Sequence, residues 1–129
     1  MAGGFDKYLG VEDRIQHSFI TWMKLAHPKL RYHHSPSEGR RTPFERFKMK
    51  YLGTDSGFPD VIIPKLQLVI EFKAEYIDKE TGKKKGKNTL SEEQKEWIKY
   101  FEEIGWSTCV AYSFDQGKDA VEKAIANHK

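Results

Sequence analysis

The sequence predicts an α/β fold in which a mixed β-sheet of about four strands is flanked by helices. Three observations predict it. Apolar residues recur at helical spacing near both ends of the chain. Two apolar runs, Phe58–Ile63 and Leu66–Lys73, are separated only by Pro64-Lys65, which forces an antiparallel hairpin. A further helical stretch lies between that hairpin and the last apolar run, which allows a crossover connection and hence a parallel pair. With 129 residues the chain suffices for one compact domain spanning 1–129, with a core over about 11–126.

The elements follow in order. Val11 to Ala26 reads as a helix whose stripe is Val11, Ile15, Phe19, Trp22 and Ala26. His27-Pro28 ends it, because a residue before proline is pushed out of helical space. A short strand is expected around Leu30–His33, then a turn-rich loop from Pro36 to Gly39. Thr42 caps a second helix that runs to Leu52, with Pro43 at its first position and Gly53 past its end. After the hairpin, 76–89 is polar, holds two glycines and a lysine run, and reads as an exposed mobile loop. Ser91 caps a third helix over Glu92–Ile104, with Gln94 placed to close a capping box and Trp97, Tyr100, Phe101 and Ile104 as its buried stripe. Gly105 stops it. Trp106–Phe114 is the last strand, and Lys118–Asn127 the last helix, with Val121, Ala124 and Ile125 facing inward.

Composition excludes several classes. Cys109 is alone, so neither a disulfide framework nor a thiolate cluster is available, and it reads as a small core residue. No segment approaches the roughly 20 apolar residues of a membrane span, and the first residues lack the apolar stretch of a signal peptide. A soluble protein of a reducing, cytoplasmic compartment is expected. Net charge is only +3, but its distribution is uneven. Lys29–Lys50 holds seven Lys or Arg against two Glu, and Lys79–Lys87 five Lys against one Glu. Such concentration suits a polyanion, although solvated loops account for it about as well.

The central constellation is Phe58-Pro59-Asp60, then Glu71-Phe72-Lys73 eleven positions on. Alternation along a strand places Glu71 and Lys73 on one face and Leu68, Ile70 and Phe72 on the other. With a two-residue turn, Asp60 would face a residue near 68 or 69. Only strand twist or a bulge would then bring it to Glu71. Two acids and a lysine at the end of an apolar hairpin need a compensating cation, since a half-buried carboxylate pair costs several kcal/mol. Mg²⁺ or Mn²⁺ would supply one, using carboxylates, water and phosphate oxygen as ligands. An isolated Glu-x-Lys is otherwise an ordinary surface pair.

Gly57-Phe58-Pro59-Asp60, Leu68-Val69-Ile70-Glu71-Phe72-Lys73 and Leu90-Ser91-Glu92-Glu93-Gln94, preceded by Glu12-Asp13-Arg14-Ile15-Gln16, resemble the PD-(D/E)xK nuclease core in its VRR-NUC form. The closing Trp106–Tyr112 strand and final helix agree, so the likeness runs from about Val11 to Ile125. The resemblance implies a restriction-endonuclease-like fold and metal ligation by Asp60, Glu71 and the backbone carbonyl of Phe72. It also implies Glu12 near the metal, directly or through water, Lys73 as the catalytic lysine, and Gln94 touching the site or the DNA backbone. Gln94 as a cap and Gln94 as a site residue weigh about equally, and the two are compatible.

The implied activity is metal-dependent hydrolysis of DNA phosphodiester bonds. Stand-alone domains of this kind are similar to Holliday-junction resolvases, so a homodimer acting on branched DNA, in a bacterial or phage-infected cell, is the leading expectation. A flap- or nick-directed nuclease, a restriction or partner-dependent nuclease, and a non-catalytic DNA-binding module are the alternatives. Charge distribution, rather than the resemblance, nominates Arg40, Arg41, Arg46, Lys50, Lys83, Lys84, Lys85 and Lys87 as DNA contacts. The five histidines lack zinc-site spacing, and His33 and His34 would point to opposite faces of a strand. His34-Ser35 could instead reach a phosphate.

Overall fold

A computed structural model describes residues 9–35, 42–53, 56–77, 80–81, 84–87 and 89–128. In chain order the elements are α1 (Val11–Ala26), β1 (His33–His34), α2 (Pro43–Tyr51), β2 (Val61–Ile63), a 3₁₀ turn (Pro64–Leu66), β3 (Leu68–Phe72), β4 (Glu75–Ile77), β5 (Lys84–Lys87), α3 (Glu92–Glu103), β6 (Ser107–Ala111) and α4 (Phe114–Asn127). Four strands form one mixed sheet in the order β1-β2-β3-β6. β2 and β3 are antiparallel, and β6, reached through α3, runs parallel to β3. The expected α/β architecture is therefore present.

The hairpin register differs from the two-residue-turn expectation. β2 starts at Val61 rather than Phe58, and β3 at Leu68 rather than Leu66. Pro64, Lys65 and Leu66 form a 3₁₀ turn, and Gln67 closes it with φ 49° and a bond from its N–H to the Pro64 carbonyl. Four residues thus connect the strands, and Val61 pairs with Ile70. Proline at the first turn position is pre-set for this conformation and could not have donated a ladder bond.

β3 is buried on both faces. On one face Leu68, Ile70 and Phe72 join Phe19 and Met23 of α1 and Val121 and Ala124 of α4 in the core. Phe72 and Phe19 lie 5.3 Å apart, ring centre to ring centre. Gly117 lets α4 approach both, since a Cβ there would sit 3.1 Å from Phe19 and 3.2 Å from Phe72. Each fully buried aromatic or aliphatic side chain contributes on the order of 1.5–3 kcal/mol. The opposite face is covered by α3 and a layer of aromatic rings, with Phe58 on Trp97 at 4.9 Å and Phe101 on Trp106 at 5.1 Å.

Several local expectations are corrected. The buried stripe of α1 centres on Phe19 and Met23, whereas Val11 and Ala26 are exposed, because the helix meets the sheet only along its middle turns. α4 begins at Phe114, four residues early, since Ser113 accepts a capping bond from the N–H of Gln116. Part of the 76–89 stretch, expected to be a loop, is the antiparallel pair β4–β5. In α3 only Phe101 is buried, while Tyr100 and Ile104 are exposed. α2 has the expected Thr42 cap, yet none of its residues is buried. No helix among the described residues is long and apolar enough to cross a membrane.

Candidate active site

The site forms where the hairpin end meets the first turn of α3. Continuing the β2–β3 register one step beyond Val61 and Ile70 sets Asp60 opposite Glu71. Three strands hold Asp60. Its backbone carbonyl accepts from the N–H of Ser35, which follows β1, at 2.8 Å. One carboxylate oxygen, Oδ2, accepts from the N–H of Phe72 at 2.8 Å. The side chain therefore leans along the sheet toward the C-terminal end of β3.

Glu71 projects to the α3 side and is 5% exposed. Its Oε1 accepts from Nε2 of Gln94 at 2.9 Å. Gln94 also closes the α3 capping box: its Oε1 accepts from the N–H of Ser91 at 2.9 Å, while Ser91 Oγ accepts from the N–H of Gln94 at 3.2 Å. Because the amide oxygen is used by the cap, the amide nitrogen is the end turned to Glu71. Both roles expected of Gln94 are present together. Gly57 makes this contact possible. It has φ +83°, and a Cβ there would lie 2.7 Å from the backbone and side chain of Glu93 and 2.8 Å from the Gln94 nitrogen.

The pair of carboxyls is electrostatically expensive. Burial, chiefly, raises Asp60 to about 6, with Glu12 adding to the rise and the Phe72 N–H and Lys73 opposing it. Burial likewise raises Glu71 to about 8, with repulsion from Asp60 adding and Lys73 opposing. Lys73 thus stands close enough to act on both, as the alternation of β3 requires. Glu12 bears on Asp60 from α1, but among the described residues no three His, Cys, Asp or Glu side chains converge as a metal-binding group. Asp60 and Glu71 bring two carboxylates together as a small hard-oxygen donor set. That set suits Mg²⁺ or Mn²⁺, which retain waters, and not a zinc cage.

Two neighbours were not assigned a definite role by sequence reasoning. Gln16, one helical turn after Glu12, meets His34 through Oε1 and Nε2 at 2.6 Å, joining α1 to β1 beside Asp60. Burial and the neighbouring His33 hold His34 below its ordinary pKa, and Nε2 is the donor because the Gln16 Oε1 can only accept. The Glu-x₃-Gln spacing of α1 was the available signal. Ser35 does not reach outward through its backbone, which is tied to Asp60. Of the basic residues expected to meet DNA, Arg46 and Lys50 lie exposed on α2. Lys84, Lys85 and Lys87 lie on β5. Arg40, Arg41 and Lys83 fall outside the described residues.

This is a mixed α/β core with an acidic pair and a lysine at the end of its central hairpin. Its overall shape matches a solved structure titled "VRR_NUC domain protein", with a TM-score of 0.64 and 23% identity over 92% of this chain and 90% of that one. The chain thus has the fold expected for a VRR-NUC domain. No family model matches the sequence, and no curated protein matches it.

Proposed function

We propose that this chain is an Mg²⁺- or Mn²⁺-dependent endodeoxyribonuclease that hydrolyses phosphodiester bonds in branched DNA as a homodimer. One observation carries the reading: the register sets Asp60 opposite the buried Glu71, with Lys73 acting on both. A protein that only bound DNA would be better served by neutral residues there, because ionising a buried pair opposes folding.

Asp60, Glu71 and the Phe72 carbonyl would hold the ion, with Glu12 near Asp60. Bound there, the ion supplies charge compensation and Lewis acidity toward the scissile phosphate. The chain supplies the rest. Gln94 keeps one oxygen of Glu71 engaged and so fixes the rotation of that carboxylate. Lys73 holds the attacking water with its ammonium group and offsets the negative charge that builds as oxygen adds to phosphorus and the bond to the leaving oxygen breaks. Basic residues of α2 and of the 79–87 stretch contact the DNA backbone. A domain of this size has few side chains to spare for base reading, so selectivity for structure is favoured. Paired incisions on a four-way junction suit a twofold dimer.

The test is a cleavage panel of four-way junction, flap, splayed arm and linear duplex with Mg²⁺, run beside Lys73→Ala. Junction cutting that Lys73→Ala abolishes, with DNA binding nearly intact, is expected. Preference for the flap moves the assignment to a flap-directed nuclease, and fixed-site cutting of linear duplex to a restriction-type enzyme. Binding without cutting of any substrate, unaffected by Asp60→Ala, leaves a DNA-binding module.

A further inference from the structure

α2 is a helix without a face to pack on. Its nine residues include no buried one, and among the described residues it makes no substantial contact with another element. A helix this short is not stable by itself in water, where about 12–15 residues are marginal even for favourable sequences. Its surface is not that of a solvated helix either. Phe44, Phe47 and Tyr51 recur at helical spacing and are 69%, 65% and 79% exposed. Phe47 and Tyr51 stack at 6.2 Å, so the three form one aromatic ridge. Arg46, Lys48 and Lys50 surround it against a single Glu45. A monomer seldom leaves such a ridge uncovered.

A seat of matching character lies on α3. Ser56, Glu93, Glu96, Trp97 and Tyr100 line a groove of about 450 Å³. Its floor is aromatic and firm, because Trp97 is backed by Phe58 and by Phe101 at 5.9 Å. Its rim is acidic. Tyr100, 51% exposed, belongs with Ile104 to the part of the α3 stripe that the sheet leaves uncovered. A basic aromatic ridge and an acidic aromatic groove are complementary in both charge and apolar surface.

We propose that α2 of one copy docks its Phe44–Phe47–Tyr51 ridge into the α3 groove of a second copy, and that the second copy's α2 fills the first copy's groove in return. The contact rests on the homodimer reading above and gives it a surface. Twofold symmetry makes both contacts with one pair of patches and leaves neither ridge nor groove open. Glu93 of the groove directly precedes Gln94, so the docked helix bears on the turn that positions Glu71.

Sedimentation across a dilution series, with hydrogen exchange of the α2 amides at each concentration, tests this on the full chain. Wild-type protein should dimerise in the micromolar range, with α2 protection rising in step with the dimer. Phe47→Asp and Tyr100→Ser should each weaken dimerisation by about tenfold or more. Leu25→Ser, at an exposed site on α1, should not change it. A wild-type monomer, or a dimer indifferent to both variants, overturns the proposal. Protection that persists at every dilution means that α2 seats in its own chain. Protection that appears only with duplex DNA means that nucleic acid is the occupant. Either of these also overturns it. A dimer that uses these residues yet cleaves nothing upholds the interface and removes the nuclease reading. Cleavage by a monomer does the reverse.

Discussion

Replacing Glu71 by Gln should make the metal-free protein more stable while destroying its use. The carboxyl is 5% exposed and raised from its ordinary 4.5 to about 8. A folded value above the unfolded one means that the proton-bound form favours the fold. That contribution is complete below about pH 4.5 and is lost as pH rises through about 8. At 1.36 kcal/mol per pH unit of separation, the ceiling on the cost of ionisation is about 5 kcal/mol. Part of that cost is repulsion from Asp60, which relaxes when either group takes a proton, so a gain of about 2 kcal/mol for Glu71→Gln at pH 8 is expected. The amide keeps an oxygen for the Nε2 of Gln94. Thermal unfolding in chelator should show the variant melting roughly 5–10 °C above wild type at pH 8 and nearly level with it at pH 5. Mg²⁺ should raise the wild type and leave the variant unmoved. A variant that melts lower than wild type at pH 8 in chelator would show that Glu71 is not held against an electrostatic cost, and the argument for an ion between the two acids would lose its basis.

Other perturbations probe the supports. Gln94→Glu keeps a cap acceptor but turns a second acid toward Glu71, so it should lower metal-free stability at pH 8 more than at pH 5, and cut cleavage at least tenfold. Gln94→Ala removes cap and contact together and should cost about 1–2 kcal/mol in denaturant titrations at any pH. Gly57→Ala meets both a positive φ and a 2.7 Å overlap with Glu93, and should cost about 2–4 kcal/mol, with cleavage falling further than the lost folded fraction explains. Lys73→Ala removes the charge that opposes the rise of both acids, so it should lower metal-free stability at pH 8 more than at pH 5 and abolish turnover.

Residue periodicity made much of this molecule legible. The helical stripes located α1, α3 and α4, and the apolar hairpin located the strand that carries Glu71. The capping box of Ser91 and Gln94 could be read from spacing alone, because a cap is a local event. What escaped was decided over distance. The acid at 60 seemed misaligned with the one at 71 because Leu66-Gln67 looked like strand. The 3₁₀ geometry took both residues into the turn and advanced the register by a pair. The β4–β5 pairing hid in a polar, lysine-rich stretch with no apolar alternation to betray it. α2 was readable as a helix, but its stripe gave no sign that the sheet would leave it uncovered. The exposed half of the α3 stripe was equally silent, since periodicity reports which side is apolar and not what lies against it.

The four-residue link from Pro64 to Gln67 acts as a ruler. A slip of one residue in the pairing it sets would turn the face of one strand against the other and send Asp60 or Glu71 to the wrong side of the sheet. Drawing Leu66 and Gln67 into strand around a two-residue turn would keep the face but slide Asp60 along to Val69, one pair short of its partner. Lys65 is exposed and open to substitution, whereas Leu66 is buried in the core and Gln67 holds a positive φ, so the turn's conformation is fixed by its own residues. In a protein of this design, a slip of pairing at this distant turn would part the two acids as surely as changing either of them.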